Sequence, residues 1–266
     1  MVNAPGMVAS ADDLATRVGV AVLAAGGNAV DAAIATNAAL AVVAPHLCGL
    51  GGDVLALVHH GGQTHALNAS GRAGSGASAE VLRHEGHTEM PFRYDVRSVT
   101  LPGCVDGWIS LHTRFGSQPL AELLTPAITL AEKGFRVSSL LTSAVGNLDA
   151  VGRAALPSLL GALEAPQLRL PGVGSTLRHI AAEGRSGFYE GEFGEGLKRL
   201  GAGLFTDADL GTVNADWVLP LSTPAFGVTL HTLPPNSQGY LTLGGASLAE
   251  NLGLLGIPMT LSGHTC

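Results

Sequence analysis

"GGNAVDAAIATNAALAVVAPHLCGLGGD", residues 26–53, decides how the chain is read. Gly26-Gly27 stop whatever precedes them. Asn28, with Asp31 three positions on, makes the reciprocal pattern of a helix N-terminal capping box. A helix is expected from there to about Ala44, where Pro45 ends it. It is rich in alanine, so it can lie very close to a sheet or to another helix. Its apolar run, residues 32–44, is shorter than the roughly 20 residues a bilayer span needs, and Asn37 interrupts it. A buried core helix is expected, with no membrane partner.

Working outward, Ser10 and Asp13 repeat the capping pattern upstream, ahead of an apolar stripe at Leu14, Val18, Val22 and Ala25. Downstream, "DVLALVHH" (53–60) reads as a strand, Gly61-Gly62 as a turn, and "QTHALNAS" (63–70) as the returning strand of a hairpin. "VRSVTLPG" (96–103) reads as another short strand. Helices are expected over 104–116 and 120–135, the second closed by Lys133 and Gly134. Residues 150–176 read as a connector broken by Pro and Gly. Residues 175–201 read as two helices joined by a Gly-rich turn, and 226–235 as a late strand ending at a double proline. No internal repeat or low-complexity linker interrupts the chain. The expectation is one domain over residues 1–266, a layered α/β (α+β) mixture of sheet and helix.

Hydrophobic residues make up 46% of the chain and charged residues 13%. Such a chain buries a large core, or belongs to a larger particle whose partner covers part of its surface. Net charge is −7, and Lys133 and Lys198 are the only lysines. With no basic patch, nucleic acid is excluded as a partner. The three cysteines, Cys48, Cys104 and Cys266, lack CxxC spacing, which argues against a disulfide framework and for a reducing compartment. "MVNAPGMVAS" has no basic segment leading into an apolar run, so no signal peptide is expected, and the location implied is cytoplasmic.

The familiar chemical motifs fail one by one. "GLGGDV" (49–54) departs from GxGxxG at Val54 and leads into a strand, not a helix. There is no Gly-Lys-Ser/Thr phosphate loop. "HEGH" (84–87) is one residue short of the zinc-binding HExxH, whose histidines need i, i+4 spacing to share a helix face, so it reads as a polar loop. GxSxG and SxxK are absent. His59, His60 and His65 read as solvated or satisfied histidines beside the hairpin, and Cys48 and Cys104 as packing residues. No catalytic set, metal site or cofactor site is expected from the residues alone. One stretch stands apart. In "NASGRAGSGAS" (68–78) the long cation Arg72 sits among small and turn-forming residues. A backbone of that kind can approach a ligand closely, and the cation is either an anion hook or simply solvated.

Eight stretches occur in an order that resembles one known family: "GMVAS" (6–10), "GGNAVDAAIA" (26–35), "VVAPHLCGLGGD" (42–53), "ALNASGRA" (66–73), "VTLPGCVDGW" (99–108), "LLTPAITLAEKGF" (123–135), "GFYEGEFGEGL" (187–197) and "LPPNSQGY" (233–240). Together they are similar to the gamma-glutamyltransferase family over almost the whole chain. The resemblance implies an N-terminal nucleophile hydrolase with an αββα sandwich, incomplete in this chain. It also implies a precursor that cleaves itself into a large and a small subunit. The N-terminal Thr of the small subunit attacks a γ-glutamyl amide, with its own α-amine as base and backbone N–H groups holding the oxyanion. An arginine at the position of Arg72 grips the substrate's α-carboxylate, which a guanidinium matches as a planar fork. The implied partners are a small-molecule amide bearing a carboxylate, and a small subunit.

Two departures qualify the resemblance. Many gamma-glutamyltransferases follow this arginine with Glu and then Ala-Pro, and carry Ser-Ser-Gly-Gly after the prolines. Here Arg72 is followed by Ala73 and Gly74, and the prolines by "NSQG" (236–239). Those features look more like the branch that includes oxamate-type amidohydrolases. The sequence also ends at Cys266, and Thr265 is not placed to head a small subunit. The expectation is a partial large subunit, inactive by itself, with the nucleophilic Thr downstream. An inactive remnant or binding module that keeps the fold core is the alternative.

Overall fold

The computed structural model describes residues 6–91, 93–163, 165 and 167–254. Thr265 and Cys266 lie outside the described residues. Contacts divide the chain into two compact units. The first holds residues up to Val54 and Ala69–Ala215, the second Leu55–Asn68 and the residues from Asp216 on.

In the first unit, α1 (Asp13–Ala24) starts two positions later than the Ser10 pattern implies. Asp12 is its N-cap, accepting from the Leu14 N–H. The Ser10 hydroxyl instead donates to the Asp12 carbonyl and pairs with Thr16 Oγ1. An aspartate at Ncap needs only the next turn's N–H groups, so the nearer acceptor prevails. Helix α2 (Ala29–Val43) begins as expected, with Asn28 accepting from Val30 and Asp31 and the Asp31 carboxylate accepting from Asn28 N–H. Its alanines allow close packing on several sides: Ile34, Ala35, Ala38, Ala39 and Val42 are all at most 1% exposed. Burying Ile34 alone is worth about 1.5–3 kcal/mol.

Asp31 does more than cap. Its carboxylate also accepts from Ser117 N at 3.0 Å, Ser117 Oγ at 2.5 Å and Gln118 N at 3.4 Å. It therefore ties α2 to the segment that follows Phe115. Burial pushes its carboxyl up, but these hydrogen bonds outweigh burial and hold it below the usual carboxylate value.

The helix α3 (Ala79–His84) was not foreseen. Residues 96–103 form no strand: Val96–Ser98 is a short 3-10 turn, capped by Asp95 through the Arg97 N–H, and Val99 after it is extended. The local Asp95 side chain outcompetes ladder pairing there. Helices α4 (Cys104–Phe115) and α5 (Leu120–Lys133) match their patterns. Next come α6 (Ser139–Gly146), α7 (Ala150–Ala155) and α8 (Pro157–Ala162), so most of the supposed 150–176 connector is helical. Pro157 and Pro171 sit at first helical positions, where a missing N–H is harmless, and start helices instead of breaking them. For the same reason α9 runs Pro171–Glu183. Residues 175–201 carry three helices and not two, with α10 (Ser186–Tyr189) between α9 and α11 (Glu192–Gly201). Helix α12 (Asp207–Gly211) closes the unit, with Thr206 and Asp209 as its capping box.

All but the end residues Val54 and Ala69 of β1 (Val54–His60) and β2 (Gln63–Ala69) belong to the second unit, and the two strands flank the turn Gly61-Gly62, both glycines at positive φ. That is the backbone a two-residue hairpin of matching twist requires. β2 pairs antiparallel with β3 (Asp216–Val218), Leu67 opposite Trp217. β4 (Leu221–Ala225) and β5 (Val228–Thr232) form a second hairpin, and α13 (Gly239–Asn251) follows the double proline. Leu219, Leu241, Leu248 and Leu252 of this unit are more than half exposed, and no residue of α13 is buried.

Candidate functional site

Arg72 lies in the first unit, just after the end of β2, and is exposed. The small residues around it have a use the sequence reading missed. A Cβ on Gly71 would stand 1.7 Å from the Leu101 carbonyl oxygen, one on Gly74 2.1 Å from that of Leu204, and one on Gly76 2.2 Å from that of Gly203. The glycines thus let the loop dock onto its own chain, backbone against backbone, where the sequence reading assigned them to ligand room. The Leu101 N–H donates to the Arg72 carbonyl at 2.8 Å, and the Gly76 N–H to the Leu204 carbonyl at 3.1 Å.

A carboxylate fastens the far side of the loop. Asp209 Oδ2 accepts from Ser75 Oγ at 2.8 Å, Ser75 N at 3.1 Å, Thr206 N at 2.8 Å and Thr206 Oγ1 at 2.9 Å. Burial raises its carboxyl, but the bonds from Ser75 and Thr206 outweigh that and hold it below the ordinary value. The loop is therefore anchored on both flanks of Arg72, and the cation stands on a fixed base.

The guanidinium is held too. Arg72 Nη1 donates to the Val213 carbonyl at 2.8 Å and stands 3.5 Å from Asn214 Oδ1. Behind Asn214 lies an ion pair between the buried Asp106 and the half-buried Arg185. Asp106, 1% exposed on the first turn of α4, accepts from Arg185 Nε at 2.9 Å and from Asn214 N at 2.7 Å. The Arg185 guanidinium lies 4.2 Å from the centre of the Tyr189 ring. No sequence signal joins Asp106 to Arg185, 79 positions away.

Other residues weighed from sequence stand elsewhere. His84 ends α3, and His87 Nε2 is 3.3 Å from Arg97 Nη2, which also pairs with Asp95. "HEGH" thus starts on the last residue of α3, and its Glu85 and His87 gather around Arg97. Hydrogen bonds from Arg97 hold the Asp95 carboxyl down at about 2. Cys104 is buried with Sγ 3.8 Å from Asn37 Oδ1, and burial pushes both its thiol and that of Cys48 up. Neither is an activated thiolate. The "GLGGDV" turn receives helix α4: the Gly52 carbonyl accepts from Gly103 N and Cys104 N. His59 Nδ1 meets Thr64 Oγ1 at 3.1 Å across the hairpin. Among the described residues no cluster of His, Cys, Asp and Glu could hold a metal ion, and no helix is long and apolar enough to cross a membrane.

The family model for gamma-glutamyltranspeptidase matches residues 15–256. The chain belongs to that family. Among curated members it is 34% identical to the glutathione hydrolase-like YwrD proenzyme of Bacillus subtilis, over 92% of this chain and 49% of that protein. It is likewise 34% identical to the glutathione hydrolase proenzyme of Pseudomonas aeruginosa, over 94% and 45%. The oxamate amidohydrolase proenzyme of Klebsiella pneumoniae is 34% identical over 94% and 50%. The chain therefore spans about half the length of these relatives. Its structure superimposes on gamma-glutamyltranspeptidase from Pseudomonas nitroreducens complexed with L-DON at a TM-score of 0.87, with 28% identity over 98% of this chain and 81% of that one. The Helicobacter pylori gamma-glutamyltranspeptidase gives 0.83, with 27% identity over 96% and 78%. Its mixed helix and sheet thus belong to the α+β class of the gamma-glutamyltranspeptidase fold, an N-terminal nucleophile hydrolase.

Proposed function

We propose that the chain is the large-subunit portion of a gamma-glutamyltranspeptidase-family enzyme that hydrolyses or transfers the acyl group of a carboxylate-bearing amide. Arg72 grips the substrate's carboxylate. A small subunit supplies the nucleophile, an N-terminal Thr whose α-amine takes the hydroxyl proton as it attacks the amide carbonyl. The observation that carries this reading is the anchored loop. An exposed guanidinium, fixed by the Val213 carbonyl and set on a doubly fastened backbone, sits where the family resemblance expects a carboxylate grip. A surface arginine with no ligand would gain little from such anchoring, because ordering its side chain forfeits roughly 2 kcal/mol of rotamer entropy.

The substrate is a γ-glutamyl amide or a shorter, oxamate-like amide. Three features favour the shorter one as the second reading: Ala73-Gly74 after the arginine, "NSQG" after the prolines, and the likeness to an oxamate amidohydrolase. Both substrates present a carboxylate to the same fork.

The test is reconstitution. The chain is purified alone and also co-expressed with a small subunit from its own genome, then assayed on a γ-glutamyl anilide and on oxamate. Turnover of either substrate by the assembly and by neither part alone is expected. Turnover by the purified chain alone, surviving repurification, would overturn the division of labour.

A further inference from the structure

We infer that Asp106 is the positioning residue for Arg72, acting through Arg185 and the segment 210–214. The inference rests on Arg72 being the carboxylate grip of the proposed function.

A carboxylate buried to 1% exposure is expensive unless it is paired and hydrogen-bonded, and an apolar residue of similar size often packs as well. Asp106 is fully matched. Oδ1 accepts from Arg185 Nε at 2.9 Å, and Oδ2 accepts from Asn214 N at 2.7 Å, with Arg185 Nη2 at 3.5 Å. Arg185 then reaches on. Its Nη2 donates to the Leu210 carbonyl at 2.6 Å and to the Thr212 carbonyl at 2.7 Å. Its own plane is set by the Tyr189 ring beneath it, and the Tyr189 hydroxyl is fixed by donating to the Pro102 carbonyl at 2.5 Å.

One ion pair, built on the buried Asp106 and the half-buried Arg185, therefore holds three backbone atoms within five residues: the carbonyls of 210 and 212 and the N–H of 214. The held atoms of Thr212 and Asn214 flank a single residue, Val213, whose carbonyl receives Arg72 Nη1 at 2.8 Å. The Asn214 side chain, steadied by its Nδ2 donating to the Thr212 carbonyl at 3.0 Å, places Oδ1 3.5 Å from the same nitrogen. A pair that merely stapled α4 to α10 would have no need to clamp both neighbours of the residue that meets Arg72. A planar fork works only when its plane is set before the ligand arrives, and this chain of contacts sets it.

The test reads Arg72 directly in the 266-residue chain. Phenylglyoxal labelling is followed residue by residue by mass spectrometry, with exposed Arg17 as the internal standard. In Asp106→Asn the Arg72-to-Arg17 labelling ratio should rise about tenfold, the equilibrium worth of releasing one hydrogen bond to a charged group. Leu124→Ala, a buried change in α5, should leave the ratio unmoved although it destabilises the fold. If Asp106→Asn does not fold, Arg185→Lys, which keeps the charge but loses the fork onto residues 210 and 212, should raise the ratio in the same way. An unchanged ratio in a folded variant overturns the inference, and so does an equal rise in Leu124→Ala. A parallel series with added oxamate separates the inference from the reading it rests on. Protection of wild-type Arg72 that is lost in Asp106→Asn supports both. A raised ratio in Asp106→Asn with no oxamate protection of the wild type leaves the positioning intact and sinks the carboxylate grip.

Discussion

Gly71→Ala tests whether the arginine loop is docked as described, and its cost can be worked from the structure. Gly71 has φ +80°, and a Cβ there would lie 1.7 Å from the Leu101 carbonyl oxygen. Two penalties add. The left-handed conformation costs an L-residue about 1–2 kcal/mol. The clash is with backbone, so the chain must shift, and overpacking of that kind costs about 1–3 kcal/mol. The neighbouring Leu101 N–H to Arg72 carbonyl bond, 2.8 Å long, then lengthens or breaks, for a further 0.5–1.5 kcal/mol or so. The sum is about 3–6 kcal/mol. Gly26→Ala isolates the first penalty, because Gly26 has φ +90° and nothing within 4 Å of an added Cβ. It should cost only about 1–2 kcal/mol. Urea unfolding of wild type and both variants, followed by circular dichroism, measures the difference. A gap of about 2–4 kcal/mol between the variants is expected from the clash and the lost bond. Equal destabilisation would mean that the loop does not rest on residue 101, and the anchored-cation account would fall with it.

Asp31→Asn should destabilise the chain by about 3 kcal/mol, since an amide nitrogen would face N–H donors from Asn28, Ser117 or Gln118 in a buried site; thermal melts would show it, and a drop in Tm too small to register would contradict it. The same carboxyl is held below its unfolded value of about 3.9, so its contribution to stability is complete above that pH and is lost as pH falls through the lower folded value. The acid limb of the stability curve below about pH 4 should therefore flatten in Asp31→Asn, and an unchanged limb would show that other carboxylates carry it. The chain alone should self-associate and bind a hydrophobic dye, because Leu219, Leu241, Leu248 and Leu252 are more than half exposed; a compact, dye-free monomer on size-exclusion chromatography would refute this.

The sequence was legible where the signals are local. Asn28 and Asp31 announce α2, Gly61-Gly62 the β1–β2 turn, and Lys133-Gly134 the end of α5, because each works within one turn of backbone. Misreadings came where two local rules competed. The Ser10 pattern points to one cap for α1, but Asp12, two residues on, takes that place. Pro157 and Pro171 read as breakers from composition yet sit at helix starts, and Asp95 draws a 3-10 turn out of a stretch with strand composition. At the candidate site, Arg72 stood out because a long cation among glycines is unusual. Its supports did not. Asp106, Arg185 and Asn214 converge over separations of 79 and 108 residues, and nothing in their own neighbourhoods marks them. The loop glycines were misassigned to ligand room because sequence cannot tell a ligand from the chain's own backbone as the thing approached.

Arg72→Lys, measured in the chain assembled with the proposed small subunit, tests the central claim most directly. An ammonium keeps the charge but cannot make two parallel hydrogen bonds to a carboxylate. Loss of a charged hydrogen bond of this kind is worth roughly 1.5–3 kcal/mol, so kcat/KM should fall about ten- to a hundred-fold. The fall should appear for oxamate or a γ-glutamyl anilide and largely vanish for a matched amide without the carboxylate. Equal, small losses on both kinds of substrate would contradict the account and leave Arg72 a residue of the loop's architecture alone.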